Sequence, residues 1–196
     1  MDKPSESSIA RKTLRGQLLA LRAGLSDAER AQSDTLLCQQ LLQADPLQTA
    51  DTIGVYSPIQ GEPDLSACYE HWRAQGRRLA LPVVAGRDQP LLFRIWDASV
   101  ALRTGPFGVS VPETGEMVVP DVLVIPCVGF SIQEGRPYRL GYGGGFYDRT
   151  LAAHAYRSIG VAYDQAETAS FMINVWDRPL SMLLTPSRCM VAMASP

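Results

Sequence analysis

The stretch DVLVIP, residues 121–126, says the most about the fold of this chain. After one acidic residue it runs through four consecutive apolar residues and ends at a proline. A strand with one solvated face alternates apolar and polar side chains, whereas an unbroken apolar run is typical of a strand covered on both faces. The segment therefore predicts a buried strand in a largely parallel sheet.

Strand-like and helix-like patterns alternate on either side of this segment. Helices are predicted in DLSACYEHWRAQG (64–76), ending at Gly76, and in FYDRTLAAHAYR (146–157). The other predicted strands are TIGVYSP (52–58), RLALPVV (78–84), PLLFRIW (90–96, near an edge), SIGVAY (158–163) and one or two short strands in SMLLTPSRCMVAMA (181–194). This alternation predicts an α/β fold with helices on both faces of a mostly parallel sheet.

Two helices are predicted before the first strand. Residues 7–24 place apolar side chains at an amphipathic spacing, with a basic face formed by Arg11, Lys12, Arg15 and Arg22. Ser26 and Glu29 have the spacing of a capping box, so a second helix should begin there and reach about Gln43. The chain then reads as a single domain, 1–196, with a helical pair (7–44) and an α/β core (50–196).

Composition excludes several classes of partner. A net charge of −2 offers no bulk attraction for nucleic acid or an anionic membrane, so any anion site must be local. There is no signal-peptide pattern and no apolar run long enough to span a bilayer, which favours the cytoplasm. No apolar stripe marks an interface, so a monomer is expected.

The cysteines point away from metal and disulfide chemistry. Cys38, Cys68, Cys127 and Cys189 are far apart, lack CxxC spacing and stand in apolar contexts, which predicts buried free thiols. Neither His71 nor His154 lies near a cysteine pair, so the sequence does not favour a zinc site.

Two loops should meet where ligands bind in such folds, beyond the carboxyl ends of the strands. One is SPIQGEPD (57–64), which follows the first strand. The other follows Ile125 and leads into the glycine-rich segment YRLGYGGGFYDRT (138–150). The predicted site therefore combines an acidic loop with a glycine loop.

The glycine loop fits none of the common phosphate motifs. It lacks the Gly-Lys-Ser/Thr ending of a Walker loop, and Phe146 stands where a dinucleotide fingerprint needs its third glycine. Glycines nevertheless let successive backbone amides converge on one anion, and the helix that follows adds free N–H groups. Arg139 and Arg149 flank the loop, and Asp148 could hold Mg²⁺. From the residues alone, an anion-binding loop and a flexible surface turn both remain open.

The ordered segments add a family resemblance. RLGYGGGFYD (139–148) resembles the hallmark of the 5-formyltetrahydrofolate cyclo-ligase family, also called 5,10-methenyltetrahydrofolate synthetases. The other matching blocks, in the family's order, are ARKTLRG (10–16), VYSPIQGEPDL (55–65), LALPVV (79–84), FGVSVPE (107–113), DVLVIPCVGF (121–130), IGVAYDQ (159–165) and VWDRPLSMLLTPS (175–187). The resemblance thus covers nearly the whole chain.

This resemblance implies a fold and an activity. The fold would be a three-layer α/β/α arrangement similar to the ribose-5-phosphate isomerase and CoA-transferase group. The activity would be the ATP- and Mg²⁺-dependent conversion of 5-formyltetrahydrofolate to 5,10-methenyltetrahydrofolate, with release of ADP and phosphate. The formyl oxygen would be phosphorylated, and N10 would then attack the formyl carbon and close the ring.

The resemblance also assigns residues. Arg139, Tyr142 and Asp148 would be catalytic, with Asp148 on the metal and Asp177 a further acid of open role. The ATP-binding residues would be Arg11, Lys12, Arg15, Arg139, Leu140, Gly141, Tyr142, Gly143, Gly144, Gly145, Phe146 and Tyr147. The substrate-binding residues would be Ile59, Glu62, Asp64, Tyr142, Gly143, Gly144, Gly145 and Phe146.

Several of these residues have a plainer interpretation. The basic residues of the first helix could form a solvated face, Phe146 could pack in the core, and Asp64 could cap the helix that follows it. The chain also departs from many relatives, which carry an acid where it has Ser181. A folate- or nucleotide-binding module without turnover, or a relative of the isomerases and CoA-transferases, therefore stays open as an alternative.

Overall fold

The computed structural model describes residues 6–97 and 99–193, so Ala194 of the last predicted strand segment and both ends of the predicted domain lie outside it. Within that part, the helices are α1 (Glu6–Ala23), α2 (Asp27–Gln43), α3 (Asp45–Gln48), α4 (Ser66–Ala74) and α5 (Phe146–Ala153). The strands are β1 (Thr52–Gly54), β2 (Arg78–Val84), β3 (Leu91–Ile95), β4 (Leu102–Thr104), β5 (Ser110–Pro112), β6 (Met117–Val118), β7 (Val122–Pro126), β8 (Gly129–Gln133), β9 (Arg136–Leu140), β10 (Arg157–Val161), β11 (Met182–Leu184) and β12 (Cys189–Val191).

Eight of the described strands form one sheet, in the order β12-β11-β10-β7-β1-β2-β3-β6. The five central strands, from β11 to β2, pair in parallel. The outer strands pair antiparallel, and β3 lies next to the edge strand β6. The prediction of a mostly parallel sheet is therefore confirmed, as is the place of the 90–96 segment near an edge.

Strand β7 explains why its segment is apolar throughout. Val122 and Val124 belong to a core cluster that includes residues of α2 and α4, whereas Leu123 and Ile125 belong to a second cluster packed against α5. Successive strand side chains point to opposite faces, so both sets are buried under helices. This two-sided burial gives the three-layer arrangement predicted for the chain; its likeness to the isomerase and CoA-transferase group stays a prediction.

Two predicted elements are shorter in the structure than in the prediction. The first strand covers only three residues, 52–54, and α5 ends at Ala153 instead of continuing to residue 157. The capping box of α2 is confirmed, because the Ser26 side chain accepts from the Glu29 amide and the Glu29 carboxylate accepts from the Ser26 amide. The helical pair predicted for 7–44 is thus α1 and α2.

Helix α1 lies with the arginines of its predicted basic face turned inward and Lys12 exposed, which corrects the sequence interpretation. Arg11 and Arg22 are buried, while the apolar side chains of Ile9 and Leu21 are more than half exposed. The row Arg11, Arg15, Leu18 and Arg22 follows the i, i+4, i+7, i+11 spacing of one helix face. Guanidinium groups occupy this inward face because carbonyl and carboxylate acceptors meet them there.

The hairpin β8–β9 was missed from the sequence. It turns at Glu134 and Gly135, both with positive φ, and its second strand ends at Leu140, directly before the glycine loop. A two-residue turn ending in glycine between apolar segments is the signal that could have revealed it. The hairpin accounts for the distance between β7 and the glycine loop.

The cysteine prediction is correct for three residues and wrong for one. Cys38, Cys68 and Cys127 are buried free thiols, but Cys189 is exposed because it lies on the edge strand β12. In the described part of the chain, no helix is long and apolar enough to cross a membrane.

Candidate functional site

The glycine loop, residues 141–145, connects β9 to α5 in a backbone form that needs glycine at two positions. Gly143 has φ +100° and Gly145 has φ +66°, in the region that side chains with a Cβ rarely adopt. Gly145 is the N-cap residue of α5, so the free N–H groups of that helix open onto the loop. The loop therefore exposes backbone donors from two sources, as anion binding requires.

Arg139 and Asp148 form an ion pair at the base of this loop. Nη2 of Arg139 lies 3.0 Å from Oδ2 of Asp148, and the guanidinium lies over the ring of Tyr147. Arg139 is 6% exposed, and its Nε is buried with no hydrogen-bond partner. A buried, unpaired N–H of a cation costs free energy unless an acceptor reaches it. Arg139 thus places a buried positive charge, largely held by Asp148, at the base of the loop.

Helix α1 supplies two further arginines to the same region. Nε of Arg15 donates to the Gly141 carbonyl at 2.8 Å, and a Cβ added at Gly143 would lie 3.3 Å from the Arg15 guanidinium carbon. Arg11 holds the Asp177 carboxylate with both terminal nitrogens, at 2.6 and 3.1 Å. Burial lowers the pKa of Arg15, and the like charge of Arg11 lowers it further. Cations crowded in this way favour a bound polyanion.

Two other basic residues have different surroundings. Lys12 lies on the exposed side of α1, as the solvated interpretation expected. Arg149 donates to the carbonyls of Arg87, Gln89 and Gly144 and lies over the Phe146 ring. Arg149 therefore braces the loop from outside.

The acidic loop after β1 brings a buried carboxylate to the glycine loop. Glu62 is 5% exposed, and its Oε2 accepts from the Ile59 amide at 3.0 Å. Arg22 connects its loop to the glycine loop, because its side chain lies beside Gly61 and its guanidinium donates to the Tyr142 hydroxyl. Burial raises the pKa of Glu62 to about 7, although the Ile59 amide, Tyr142 and the Arg22 charge oppose that rise. The two loops thus meet beyond the carboxyl ends of the strands, as predicted.

Asp64 and Ile59 flank Glu62 and differ in what they do. The Asp64 carboxylate is exposed and accepts from the amide and hydroxyl of Ser66, at the start of α4. These bonds form a local turn before the helix, whose N-cap residue is Leu65 and has no side-chain cap, so the capping role expected for Asp64 is not found. Ile59 is half-buried. Their predicted contacts with substrate stay predictions.

Phe146 and Tyr147, the first residues of α5, are half-buried and pack partly against the core under the sheet. Phe146 also meets the exposed ring of Phe107 edge to face, with the ring centroids 5.6 Å apart. Phe107 has φ +62° in the β4–β5 connection. One side of the Phe146 ring therefore packs against the core, and the other side faces the β4–β5 connection at Phe107.

Arg22 belongs to this site and was not assigned to it from the sequence. It is 4% exposed; Nη1 donates to the Tyr142 hydroxyl at 3.1 Å, and Nη2 donates to the Cys127 carbonyl. Its helical spacing from Arg11 and Arg15, on the same face of α1, is the signal that could have found it.

Ser181 lies away from the glycine loop. It precedes β11, which runs parallel to β10, and it exchanges hydrogen bonds with Ser158 near the start of β10. This is the amino edge of the parallel strands, whereas the glycine loop and Glu62 lie at the carboxyl edge. The departure from the family at position 181 therefore leaves the site itself unchanged.

The acids near the loop suit one kind of cation. Among the described residues, no three histidine, cysteine or acidic side chains are grouped to hold a metal by themselves. Asp148 offers one carboxylate, partly accessible beside the free loop amides. Mg²⁺ characteristically takes one or two carboxylates together with substrate phosphates, so this donor set fits a magnesium–nucleotide complex.

Comparisons with known proteins agree with this geometry. The model of the 5-formyltetrahydrofolate cyclo-ligase family matches residues 7–186. The 5-formyltetrahydrofolate cyclo-ligase of Escherichia coli is 31% identical over 180 residues, covering 85% of this chain and 95% of the relative. The one from Haemophilus influenzae is 29% identical over 183 residues, covering 89% and 96%.

Solved structures give the same result. The 5,10-methenyltetrahydrofolate synthetase of Aquifex aeolicus superposes with a TM-score of 0.82 at 28% identity, covering 95% of this chain and 94% of that one. The synthetase of Mycoplasma pneumoniae gives a TM-score of 0.73 at 26% identity, covering 90% and 98%. With the family model spanning nearly all of the described residues, this chain belongs to the 5-formyltetrahydrofolate cyclo-ligase family.

Proposed function

We propose that this protein converts 5-formyltetrahydrofolate to 5,10-methenyltetrahydrofolate at the expense of ATP. The observation that carries the proposal is that the glycine loop and the loop of the buried Glu62 carboxylate lie side by side against Arg22, which donates to the Tyr142 hydroxyl and lies beside Gly61. A phosphoryl donor and a pterin can then be held side by side. Membership in the cyclo-ligase family supports the same reaction.

The proposed reaction has two steps. The formyl oxygen attacks the γ-phosphorus of ATP, the bond to ADP breaks, and an imidate phosphate forms on N5. N10 then attacks the former formyl carbon, phosphate leaves with the formyl oxygen, and the N10 proton is lost. Phosphoryl transfer depends mainly on positioning and on neutralising charge, so a covalent nucleophile is not required.

On the phosphate side, the loop amides and the arginines would neutralise the triphosphate. Arg139 would add positive charge at the base of the loop, and Arg15 would add charge next to Gly143. Arg11 reaches the same region while paired with Asp177. Preorganised donors of this kind stabilise the charge that develops during transfer.

Asp148 would be the Mg²⁺ ligand. The role of Asp177 stays open because Arg11 holds its carboxylate. A bound Mg²⁺ would screen the phosphate charge and orient the γ-phosphoryl group for attack. In the protein alone, Arg139 neutralises Asp148 and keeps its carboxylate in place at the loop.

On the folate side, Glu62 would accept hydrogen bonds from the pterin amino group and ring N–H. A carboxylate accepts two such bonds and donates none, which matches the donor pair of the ring. Ile59 would pack against the pterin face, and Tyr142 would lie between the two substrates.

The reaction can be followed directly, because 5,10-methenyltetrahydrofolate and 5-formyltetrahydrofolate absorb differently in the near ultraviolet. We expect the purified protein to produce this change only when 5-formyltetrahydrofolate, Mg²⁺ and ATP are all present. Omission of each component is the control. Tight binding of both substrates with no absorbance change would instead identify a binding module without turnover.

Arg15 should contribute to ATP binding through the geometry of its hydrogen bond as well as through its charge. Arg15→Lys keeps the positive charge but removes the Nε donor to the Gly141 carbonyl, so the KM for ATP should rise roughly tenfold, the value of one charge-assisted hydrogen bond. Gln17→Ala, an exposed change on the other side of α1, is the control. An unchanged KM for ATP in Arg15→Lys would contradict the assignment.

The remaining expectations stay predictions. They are a monomer, no nucleic-acid partner and a cytoplasmic location. For the last, the supporting finding is that the described helices include none able to cross a membrane.

A further inference from the structure

The segment from Met172 to Asp177 contains a tight turn whose two central residues are large and apolar. The Asp177 amide donates to the Asn174 carbonyl at 3.0 Å, so Val175 and Trp176 occupy the middle of the turn. Val175 is 78% exposed and Trp176 is 76% exposed. Turns are usually built from glycine, proline and small polar residues. Two adjacent, exposed apolar side chains at a turn are therefore a candidate binding surface.

The Asp177 carboxylate holds this turn in place. Its Oδ2 accepts from the Asn174 amide at 2.7 Å, and its two oxygens accept from Arg11 at 2.6 and 3.1 Å. Arg11 also donates to the Met172 carbonyl at 3.3 Å. Both charged side chains are largely buried, and a bidentate pair of this kind fixes geometry as well as adding energy. Trp176 thus stands on a firm support beside α1.

Helix α1 sets the position of this turn relative to the glycine loop. Arg22 donates to the Tyr142 hydroxyl, and Arg15 donates to the Gly141 carbonyl. Arg11, which binds the turn, comes one helical turn before Arg15 on the same face. With the rise of an α-helix, these three arginines follow one another at roughly 10 Å and then roughly 6 Å. The turn therefore lies next to the glycine loop, on the side away from the acidic loop.

This layout matches the shape of ATP. In the proposed reaction the γ-phosphate meets the folate at the Tyr142 end of the α1 face, so the rest of the nucleotide extends toward Arg11. An extended nucleotide separates its base from its terminal phosphate by a distance of the same order as the length of that face. The base then reaches the turn that carries Trp176.

We propose that Trp176 and Val175 form the contact surface for the adenine ring of ATP, with the indole stacked on the base. The inference rests on the proposed function, in which the glycine loop binds the phosphates, and it adds a site for the base. An indole offers a flat apolar face, and stacking of bases on aromatic side chains contributes to affinity without hydrogen bonds to the base edge. The cations Arg11 and Arg15 favour an occupant that carries negative charge beside its ring, as a nucleotide does.

The first test follows the fluorescence of Trp176 during titration with ATP. Of the three tryptophans in the chain, Trp72 is buried and Trp96 is half-buried against the Arg73 guanidinium. ATP should therefore quench mainly Trp176, and the Trp176→Phe variant should lose that quenching. Inorganic tripolyphosphate, which has the phosphates but no base, should bind without quenching and is the control ligand.

The second test compares affinities by titration calorimetry without folate. Trp176→Ala should raise the dissociation constant of ATP about tenfold, a moderate value for the loss of one base–aromatic stack. The dissociation constant of tripolyphosphate should stay the same. Trp176→Phe should keep part of the ATP affinity, because a phenyl ring still stacks. Val191→Ala, which shortens an exposed apolar side chain on the edge strand β12, is the control.

The outcomes separate the inference from the proposed function. An unchanged ATP affinity in Trp176→Ala overturns the inference, and so does an equal loss for ATP and tripolyphosphate, because the turn would then act only on the phosphates. Self-association of the protein that Trp176→Ala abolishes, with ATP affinity unchanged, would instead make the surface an interface between copies of the chain. If ATP quenches Trp176 but no 5,10-methenyltetrahydrofolate forms, the proposed conversion fails and the adenine site stands. A wild-type protein that binds no ATP contradicts both.

Discussion

Asp148→Asn should reduce kcat/KM by roughly a hundredfold or more, which is the loss usually seen when a group that stabilises the charge of the transition state is removed. The change keeps the size of the side chain but removes the charge that would hold Mg²⁺ and that now pairs with Arg139. Its signature should appear in ATP binding. Without Mg²⁺ the affinity should be equal or higher, because a negative charge is gone and Arg139 is released, whereas the gain in affinity on adding Mg²⁺ should shrink.

Asp27→Asn is the matched control for Asp148→Asn. Asp27 also lies in the first turn of a helix, but its side chain is exposed on α2. Both variants lose the same favourable interaction with a helix N-terminus, worth about 0.3–1 kcal/mol. If Asp148→Asn binds ATP with the same dependence on Mg²⁺ as the wild type, the metal is held elsewhere.

Glu62→Gln should weaken folate binding tenfold or more while leaving ATP binding unchanged. The amide keeps one acceptor but loses the charge, and hydrogen bonds to a charged group contribute about 1.5–3 kcal/mol. Titration calorimetry with each substrate separately measures both affinities. The reverse pattern, with ATP binding lost and folate binding kept, would move Glu62 to the nucleotide side.

The same variant should make the free protein more stable, and the gain should depend on pH. The pKa of Glu62 is about 7 in the folded protein, against an ordinary value of 4.5, so the folded state binds the extra proton between these values. The wild type therefore loses stability as pH rises through this window, by at most about 3 kcal/mol. The Glu62→Gln variant has no such loss, because its amide does not titrate.

Thermal unfolding at several pH values measures this difference. We expect Glu62→Gln to melt above the wild type at pH 8 and to approach it near pH 5. Glu70→Gln, which changes an exposed acid on α4, should follow the wild type throughout. A difference that does not change with pH would mean that the buried carboxylate is not the source of the stability change.

The sheet was predictable because its signals are local. The apolar run at 122–125 marks burial on both faces, and the capping pair Ser26 and Glu29 sets where α2 begins. The two loops at the carboxyl edge followed from the parallel order of the strands, and in the structure the Arg22 side chain touches both, at Tyr142 and beside Gly61.

The orientation of α1 could not be obtained in this way. An amphipathic pattern predicts that arginines face solvent unless their hydrogen-bond acceptors are known. The acceptors of Arg11 and Arg22 are Asp177 and Cys127, which lie more than 100 residues away in sequence. The role of Arg22 was hidden for the same reason. Side chains whose partners are distant in sequence carry no local signal of burial.

The pairing of Arg11 with Asp177 joins residues 166 positions apart, close to the two ends of the described chain. A protein made from its N-terminus on the ribosome can form the α2–β2 region early, but α1 finds this partner only when synthesis is nearly finished. Domains whose contacts span most of the chain fold late and slowly for this reason. The contact between α1 and Asp177 is therefore among the later contacts that a nascent molecule can form, after most strands of the sheet have been made.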